Sequence, residues 1–197
     1  MYRVYGTAES GNCYKVKLLL TQLGEKFEWI ETDIMKGETR NAEFLAKNPN
    51  GKVPTLEISP GVYLPESNAI LCYLAEGSKY WPGDRLTRAR VMQWMFFEQY
   101  SHEPYVAVAR FILFFLKQPQ HAQLADKQKR SHDAFKVMEA HLAKQPFFAG
   151  NSYSIADIAL FAYTHVADEA DLDLAPYPAL NAWLDRVKAQ PGYVPIR

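Results

Sequence analysis

Three short stretches of this chain carry side chains whose types and spacing suit chemistry. Ser10-Gly11-Asn12-Cys13 opens a predicted helix directly behind a predicted strand. The free N–H groups of a helix N-terminus favour an anion, so a thiolate placed there is stabilised. Ser10 is equally suited to be only the helix cap, and Cys13 a small buried residue of the first turn. Asn48-Pro49-Asn50-Gly51-Lys52-Val53-Pro54 reads as a turn that delivers a strand carrying a proline. Proline lacks the N–H that a ladder needs, so Pro54 belongs at a first or edge position. A trans bond is its ordinary state; a cis bond would turn Val53 so that its N–H and C=O face a ligand. Glu66-Ser67 stands at another predicted helix start. It is either a cap with a favourable acidic first turn or a site in which Ser67 and the N–H groups take a carboxylate while Glu66 pairs an amine. Together the three stretches suit a small peptide-like ligand with a charged amino-acid end.

Positioning them requires an α/β scaffold. Residues 3–6 read as a buried strand, and residues 13–23 as a helix with apolar Val16, Leu19, Leu20 and Leu23 and a stop at Gly24. Residues 27–33 alternate like a second strand, and residues 41–47 form a short helix that ends before Asn48-Pro49. Residues 53–58 and 62–64 flank Ser59-Pro60-Gly61 as a hairpin, and residues 67–77 are helical. The order β-α-β-α-β-β-α begins with a parallel crossover and ends with an antiparallel hairpin. Lys79-Tyr80-Trp81-Pro82-Gly83-Asp84 punctuates the chain, giving a domain over 1–78, a linker over 79–84 and a helical domain over 85–197. In the second domain residues 86–116 are helical with a kink or break at Pro104, and residues 122–144, 155–170 and 179–190 are helices too.

Other residues carry weaker signals. Ser154-Ile155-Ala156-Asp157 reads as a capping box with Asp in the Glu position, which makes Asp157 a folding residue. Tyr100, His102, Tyr105 and Arg110 cluster around Pro104 and are candidates for lining a substrate pocket, although core packing or a solvated face explains each singly. The two cysteines, Cys13 and Cys72, offer no disulfide framework, and no pair among the five histidines is spaced for a metal, so no metal is expected. With 22 basic and 22 acidic side chains there is no phosphate-binding footprint, which speaks against nucleic acid. The run Phe111-Ile112-Leu113-Phe114-Phe115-Leu116 is far short of the roughly 20 residues that span a bilayer. The N-terminus lacks a signal-peptide layout, so a cytoplasmic protein without membrane contact is expected.

In this order and spacing, Ser10 to Val16, Asn48 to Pro54, Glu66-Ser67-Asn68-Ala69-Ile70 and Asn151 to Asp157 resemble the cytosolic glutathione transferase family, in particular its bacterial serine-type theta-, beta- or nu-like branches. The resemblance covers nearly the whole chain. It implies a thioredoxin-like N-terminal domain, an all-α C-terminal domain, a homodimer, and glutathione as co-substrate in detoxification of small hydrophobic electrophiles. It makes Pro54 cis and Val53 the backbone clamp on the cysteinyl part of glutathione. It gives Glu66 and Ser67 the γ-glutamyl end, and Lys52, with Arg40 second, the glycyl carboxylate. Ser10 matches the catalytic serine, with Asn12 as a supporting or alternative donor. Tyr5 and Cys13 stand near positions that other branches use. Apolar Met92, Met95 and Phe96 are candidates for the dimer contact. Glutathione-dependent disulfide reduction, or glutathione binding without catalysis, are the competing readings.

Overall fold

A computed structural model describes all 197 residues and divides into two compact units. The first unit comprises Met1–Ser78 together with Pro191–Arg197. Its order is β1 (Tyr2–Gly6), α1 (Gly11–Leu23), β2 (Phe27–Glu31), a 3-10 turn (Glu38–Arg40), α2 (Ala42–Lys47), β3 (Thr55–Ser59), β4 (Val62–Pro65) and α3 (Ser67–Ala75). The sheet runs β2-β1-β3-β4. β1 pairs parallel with β2, whereas β3 pairs antiparallel with both β1 and β4. Val4, Val16, Leu18, Leu19, Leu20, Leu56, Ile70 and Leu71 are fully buried in this unit. Each such side chain contributes about 1.5–3 kcal/mol. Helix α1 stops where Gly24 turns left-handed at φ 71°, and Asn41 caps α2 by accepting the Phe44 N–H.

The C-terminal segment departs from the sequence expectation, which placed it in the helical domain. Tyr14 Oη donates to the Val194 carbonyl at 2.8 Å, and Lys17 Nζ reaches the carbonyls of Pro195 and Ile196. Gly192 lies so close to Gln22 that an added Cβ would sit 3.0 Å from its Cα. These residues have no periodic pattern of their own, so sequence alone had no means of attaching them to α1.

The second unit, Lys79–Gln190, is helical: α4 (Arg85–Phe97), α5 (Glu103–Arg110), α6 (Leu124–Leu142), α7 (Ile155–Thr164) and α8 (Pro178–Lys188). The break expected at Pro104 takes the form of a π turn over Glu98–His102 between α4 and α5. Proline has no N–H for the carbonyl one turn earlier and its ring crowds that carbonyl, and a widened turn accommodates both. The capping box at Ser154 is complete. Asp157 accepts from the N–H groups of Ser154 and Phe148, the Trp183 indole and the Ser154 hydroxyl. No helix is long and apolar enough to cross a membrane.

Candidate functional site

Sheet register brings the three stretches to one end of the first unit. Tyr5, near the end of β1, lies opposite Thr55, and Thr55 lies opposite Pro65 at the end of β4. The loop after β1 that carries Ser10, the Val53-Pro54 entry to β3 and the Glu66-Ser67 exit from β4 therefore all leave the sheet at the same end. A side-chain bond joins two of them: Ser67 Oγ donates to Asn12 Oδ1 at 3.1 Å, linking the first turns of α1 and α3.

Val53–Pro54 is cis, as the resemblance implied and against the ordinary preference for trans. Strand pairing begins only at Thr55, so the N–H and C=O of half-buried Val53 lie outside the ladder. The loop before it is held by buried Asn48, whose Nδ2 donates to the Lys52 carbonyl at 2.8 Å and to Thr55 Oγ1 at 3.3 Å. Gly51 adopts φ 62° against Arg40, and an added Cβ would stand 2.6 Å from that guanidinium. Arg40 donates to the Asn50 carbonyl at 3.2 Å, and Lys52 is exposed.

Glu66 has φ 70°, in a region that side chains other than glycine rarely occupy. Its side chain is exposed and makes no capping hydrogen bond. Glu66 therefore occupies the cap position through its backbone alone, its carbonyl accepting the Ile70 N–H at 2.9 Å, and its side chain does no capping. Such backbone strain costs of the order of 1–3 kcal/mol and points to a functional constraint. The first N–H groups of α3, beginning at Ser67, have no intrahelical acceptor.

Ser10 is the N-cap of α1, and its Oγ accepts the Cys13 N–H at 3.4 Å. It acts there as an acceptor, and its hydroxyl also lies within hydrogen-bonding range of the Cys13 sulfur. The first turn of α1 contains no acidic residue. The two rival activators are otherwise engaged. Burial pushes the Cys13 thiol up to about 12, far more than Ser10 and Thr7 pull it back. Burial and the Glu57 carboxylate push Tyr5 up to about 12 as well, and its hydroxyl donates to Glu57 at 3.1 Å.

The four residues expected around a substrate pocket do not converge. His102 and Arg110 are buried in the second unit. Thr164 gives its hydroxyl proton to the Leu160 carbonyl, so His102 Nε2 must donate to Thr164 Oγ1 at 2.9 Å. Arg110 pairs with Glu169 and lies over the ring of Phe114. Tyr100 is 85% exposed. Tyr105 lines a cavity of about 470 Å³ together with Phe97, Ser101, Arg130 and Val137. Of these positions only 102 and 105 stand at helical i, i+3 spacing, so proximity in sequence did not put all four on one face.

Sequence reasoning also missed Lys15. It sits fully buried among the apolar positions of α1 and donates to Ser67 Oγ at 3.5 Å. A lysine inside an apolar helical stripe was the available signal.

Comparison with known proteins bears on both units. Residues 1–76 match the family model described as glutathione S-transferase, N-terminal domain, and residues 94–191 match that of the C-terminal domain. The glutathione S-transferase GstB of Escherichia coli (strain K12) is 30% identical over 201 residues, which cover 98% of this chain and 95% of the relative. The disulfide-bond oxidoreductase YfcG of the same organism is 29% identical over 192 residues, covering 94% of this chain and 89% of the relative. The crystal structure of a glutathione S-transferase from Pseudomonas fluorescens [Pf-5] superposes with a TM-score of 0.97 at 52% identity, covering 99% of this chain and 98% of that one.

Proposed function

Because the chain belongs to the glutathione S-transferase family, we propose that its first unit holds glutathione along Val53, Glu66 and Ser67, and that Ser10 keeps the bound thiol ionised for attack on a small hydrophobic electrophile. The observation that carries this reading is the place of Ser10: it is the N-cap of α1, its Oγ accepts one long N–H contact, and its hydroxyl faces a buried neutral thiol rather than a carboxylate. Val53 offers its unpaired N–H and C=O to the cysteinyl peptide. Ser67 takes the γ-glutamyl carboxylate through its backbone N–H, since its hydroxyl proton already goes to Asn12. Exposed Glu66 meets the γ-glutamyl amine. Lys52, with Arg40 second, meets the glycyl carboxylate.

The magnitudes are sufficient. A free thiol has a pKa of about 8.5, and lowering it by about two units requires about 3 kcal/mol. A hydrogen bond to a charged acceptor supplies about 1.5–3 kcal/mol. The N-terminus of α1 adds about 0.3–1 kcal/mol. The thiol proton leaves to solvent, and the thiolate sulfur forms the new bond to the electrophile, which either expels a leaving group with its electron pair or, where a π bond is broken, takes up a proton from solvent. The test is an ultraviolet titration of the bound thiolate in wild type and Ser10→Ala. The pKa is expected to rise by one to two units in the variant, and an unchanged value would sink the assignment.

The oxidoreductase named among the relatives favours a second reading. The same thiolate would attack a disulfide sulfur, form a mixed disulfide and expel a thiolate; a second glutathione would then release the first as oxidised glutathione. Conjugation and disulfide reduction assayed on one preparation separate the two.

A homodimer is part of the proposal. Of the three residues expected at the contact, Met95 is buried and Met92 half-buried, while Phe96 is 63% exposed. Leu86 on the same helix is exposed as well. Sedimentation at micromolar concentration is expected to show a dimer in wild type and partial dissociation in Phe96→Glu.

A further inference from the structure

Asn48 stands at the end of α2, is only 3% exposed, and has every polar atom of its amide engaged. Its Oδ1 accepts the Asn50 N–H at 3.0 Å. Its Nδ2 donates to the Lys52 carbonyl at 2.8 Å and to Thr55 Oγ1 at 3.3 Å. A backbone N–H can only donate and a backbone carbonyl can only accept, so the amide sits one way round. Fully buried Thr55 gives its own proton to the same Lys52 carbonyl at 3.3 Å. That carbonyl and the Val53 N–H are the two halves of one peptide group. The Lys52–Val53 bond is trans, the cis bond of this loop being the one that follows. In a trans peptide the C=O and the N–H point in opposite directions. Drawing the carbonyl to buried Asn48 therefore turns the Val53 N–H to the opposite side, where no strand partner uses it. An aspartate would accept the Asn50 N–H equally well. The donors on Nδ2 are what an asparagine adds.

We propose that Asn48 is a positioning residue for peptide recognition: acting through the Lys52 carbonyl, it aims the Val53 N–H at the cysteinyl carbonyl of glutathione. The proposal rests on the glutathione-binding reading above. Without Nδ2 the Lys52 carbonyl keeps the longer bond from Thr55 alone, and Thr55 loses the donor that fixes its own oxygen. The peptide plane is then free to rotate, and the Val53 N–H leaves the line of its acceptor. Glu66 and Ser67 stand on another element, at the start of α3, and do not depend on this peptide. Asn48 thus serves the middle of the tripeptide and not its γ-glutamyl end.

Wild type is first titrated by calorimetry with S-methylglutathione, which has no free thiol. Failure of wild type to bind it overturns the site reading and this proposal with it. The same titration is then run on Asn48→Ala and Asn48→Asp at pH 8, beside γ-glutamylmethylamide followed by ligand NMR. That smaller ligand keeps the γ-glutamyl end but has no cysteinyl carbonyl for the Val53 N–H. Asn48→Ala is expected to weaken S-methylglutathione about tenfold, the order of one hydrogen bond, and γ-glutamylmethylamide less than about twofold. Asn48→Asp keeps the shape and the acceptor for Asn50 but sets an ionised oxygen against the Lys52 carbonyl, so its loss is expected to be at least as large. Asn48 variants that bind S-methylglutathione as wild type does overturn the proposal and leave the binding reading intact. Equal losses for both ligands also overturn it, because they report general disturbance of the unit. Should Asn48→Ala not fold, the isosteric Asn48→Asp decides by the same comparison of the two ligands.

Discussion

Ser10 and Ser154 are both serine N-caps, one on α1 and the other on α7, yet they do opposite things with the same hydroxyl. Ser154 accepts from the Ala156 N–H at 3.3 Å and donates to Asp157 at 3.1 Å, and Asp157 closes the box on the Ser154 N–H at 2.9 Å. Every polar group at that helix start is satisfied from within the chain. At α1 the equivalent third helical position is Cys13, a buried thiol, and no acid occupies the first turn. Its serine accepts one N–H, and its hydroxyl faces a buried neutral thiol rather than a carboxylate. A helix start that satisfies itself is a folding device; one that leaves its donors available can serve an anionic ligand.

The largest effect expected from breaking the first arrangement is on stability. Asp157→Ala would strand the N–H groups of Phe148 and Ser154 and the Trp183 indole without their acceptor. Buried donors left unsatisfied cost about 1–3 kcal/mol each. Urea or thermal unfolding is expected to show a loss of about 4 kcal/mol, a fall in Tm of the order of 10 °C. A loss below about 1 kcal/mol would show that Asp157 is not the hub its contacts describe.

The next effect is a titration. Burial raises the Asp157 carboxyl from 3.8 to about 6, and its four donors only partly oppose this. The folded protein then holds a proton that the unfolded chain releases near pH 4. This contribution to stability is complete below about pH 4 and falls away as pH rises to about 6, by about 3 kcal/mol. Asp157→Asn is expected to remove that decline. Parallel wild-type and Asn stability curves between pH 4 and 6 would refute the assignment.

The smallest effect on folding, and the sharpest for the comparison, comes from the two serines themselves. Either alanine substitution is expected to cost about 1 kcal/mol through loss of a cap. Only Ser10→Ala is expected to move the pKa of bound glutathione. If Ser154→Ala moved it equally, the contrast between the two helix starts would collapse.

Much of this was legible in the residues. The element order, the stop at Gly24, the capping box at Ser154 and the break near Pro104 rest on local chemistry, and the structure repeats them with ends shifted by a few residues. The signals at Val53-Pro54 and Glu66-Ser67 were visible but ambiguous. Local preference favoured a trans proline and an ordinary cap, whereas the folded chain holds a cis bond and a Glu66 with φ 70° and no side-chain capping contact. The group around Pro104 is divided by burial, with His102 and Arg110 inside and Tyr100 exposed, because nearness in sequence on a helix is not nearness of side chains.

The sequence by itself determined which segments become helices and strands, and which residue types could attend a thiolate and a charged peptide end. Those outcomes depend on periodicity, proline and glycine, all of which act within a few residues. Only the tertiary structure decided that Ser10, Val53 and Glu66 leave the sheet at one end, that Tyr5 and Cys13 are spent elsewhere, and that Lys15 reaches Ser67 across 52 positions of chain. The physical reason is that a polar group's role follows from which partners compete for its protons and lone pairs, and for these residues the partners arrive from distant parts of the chain.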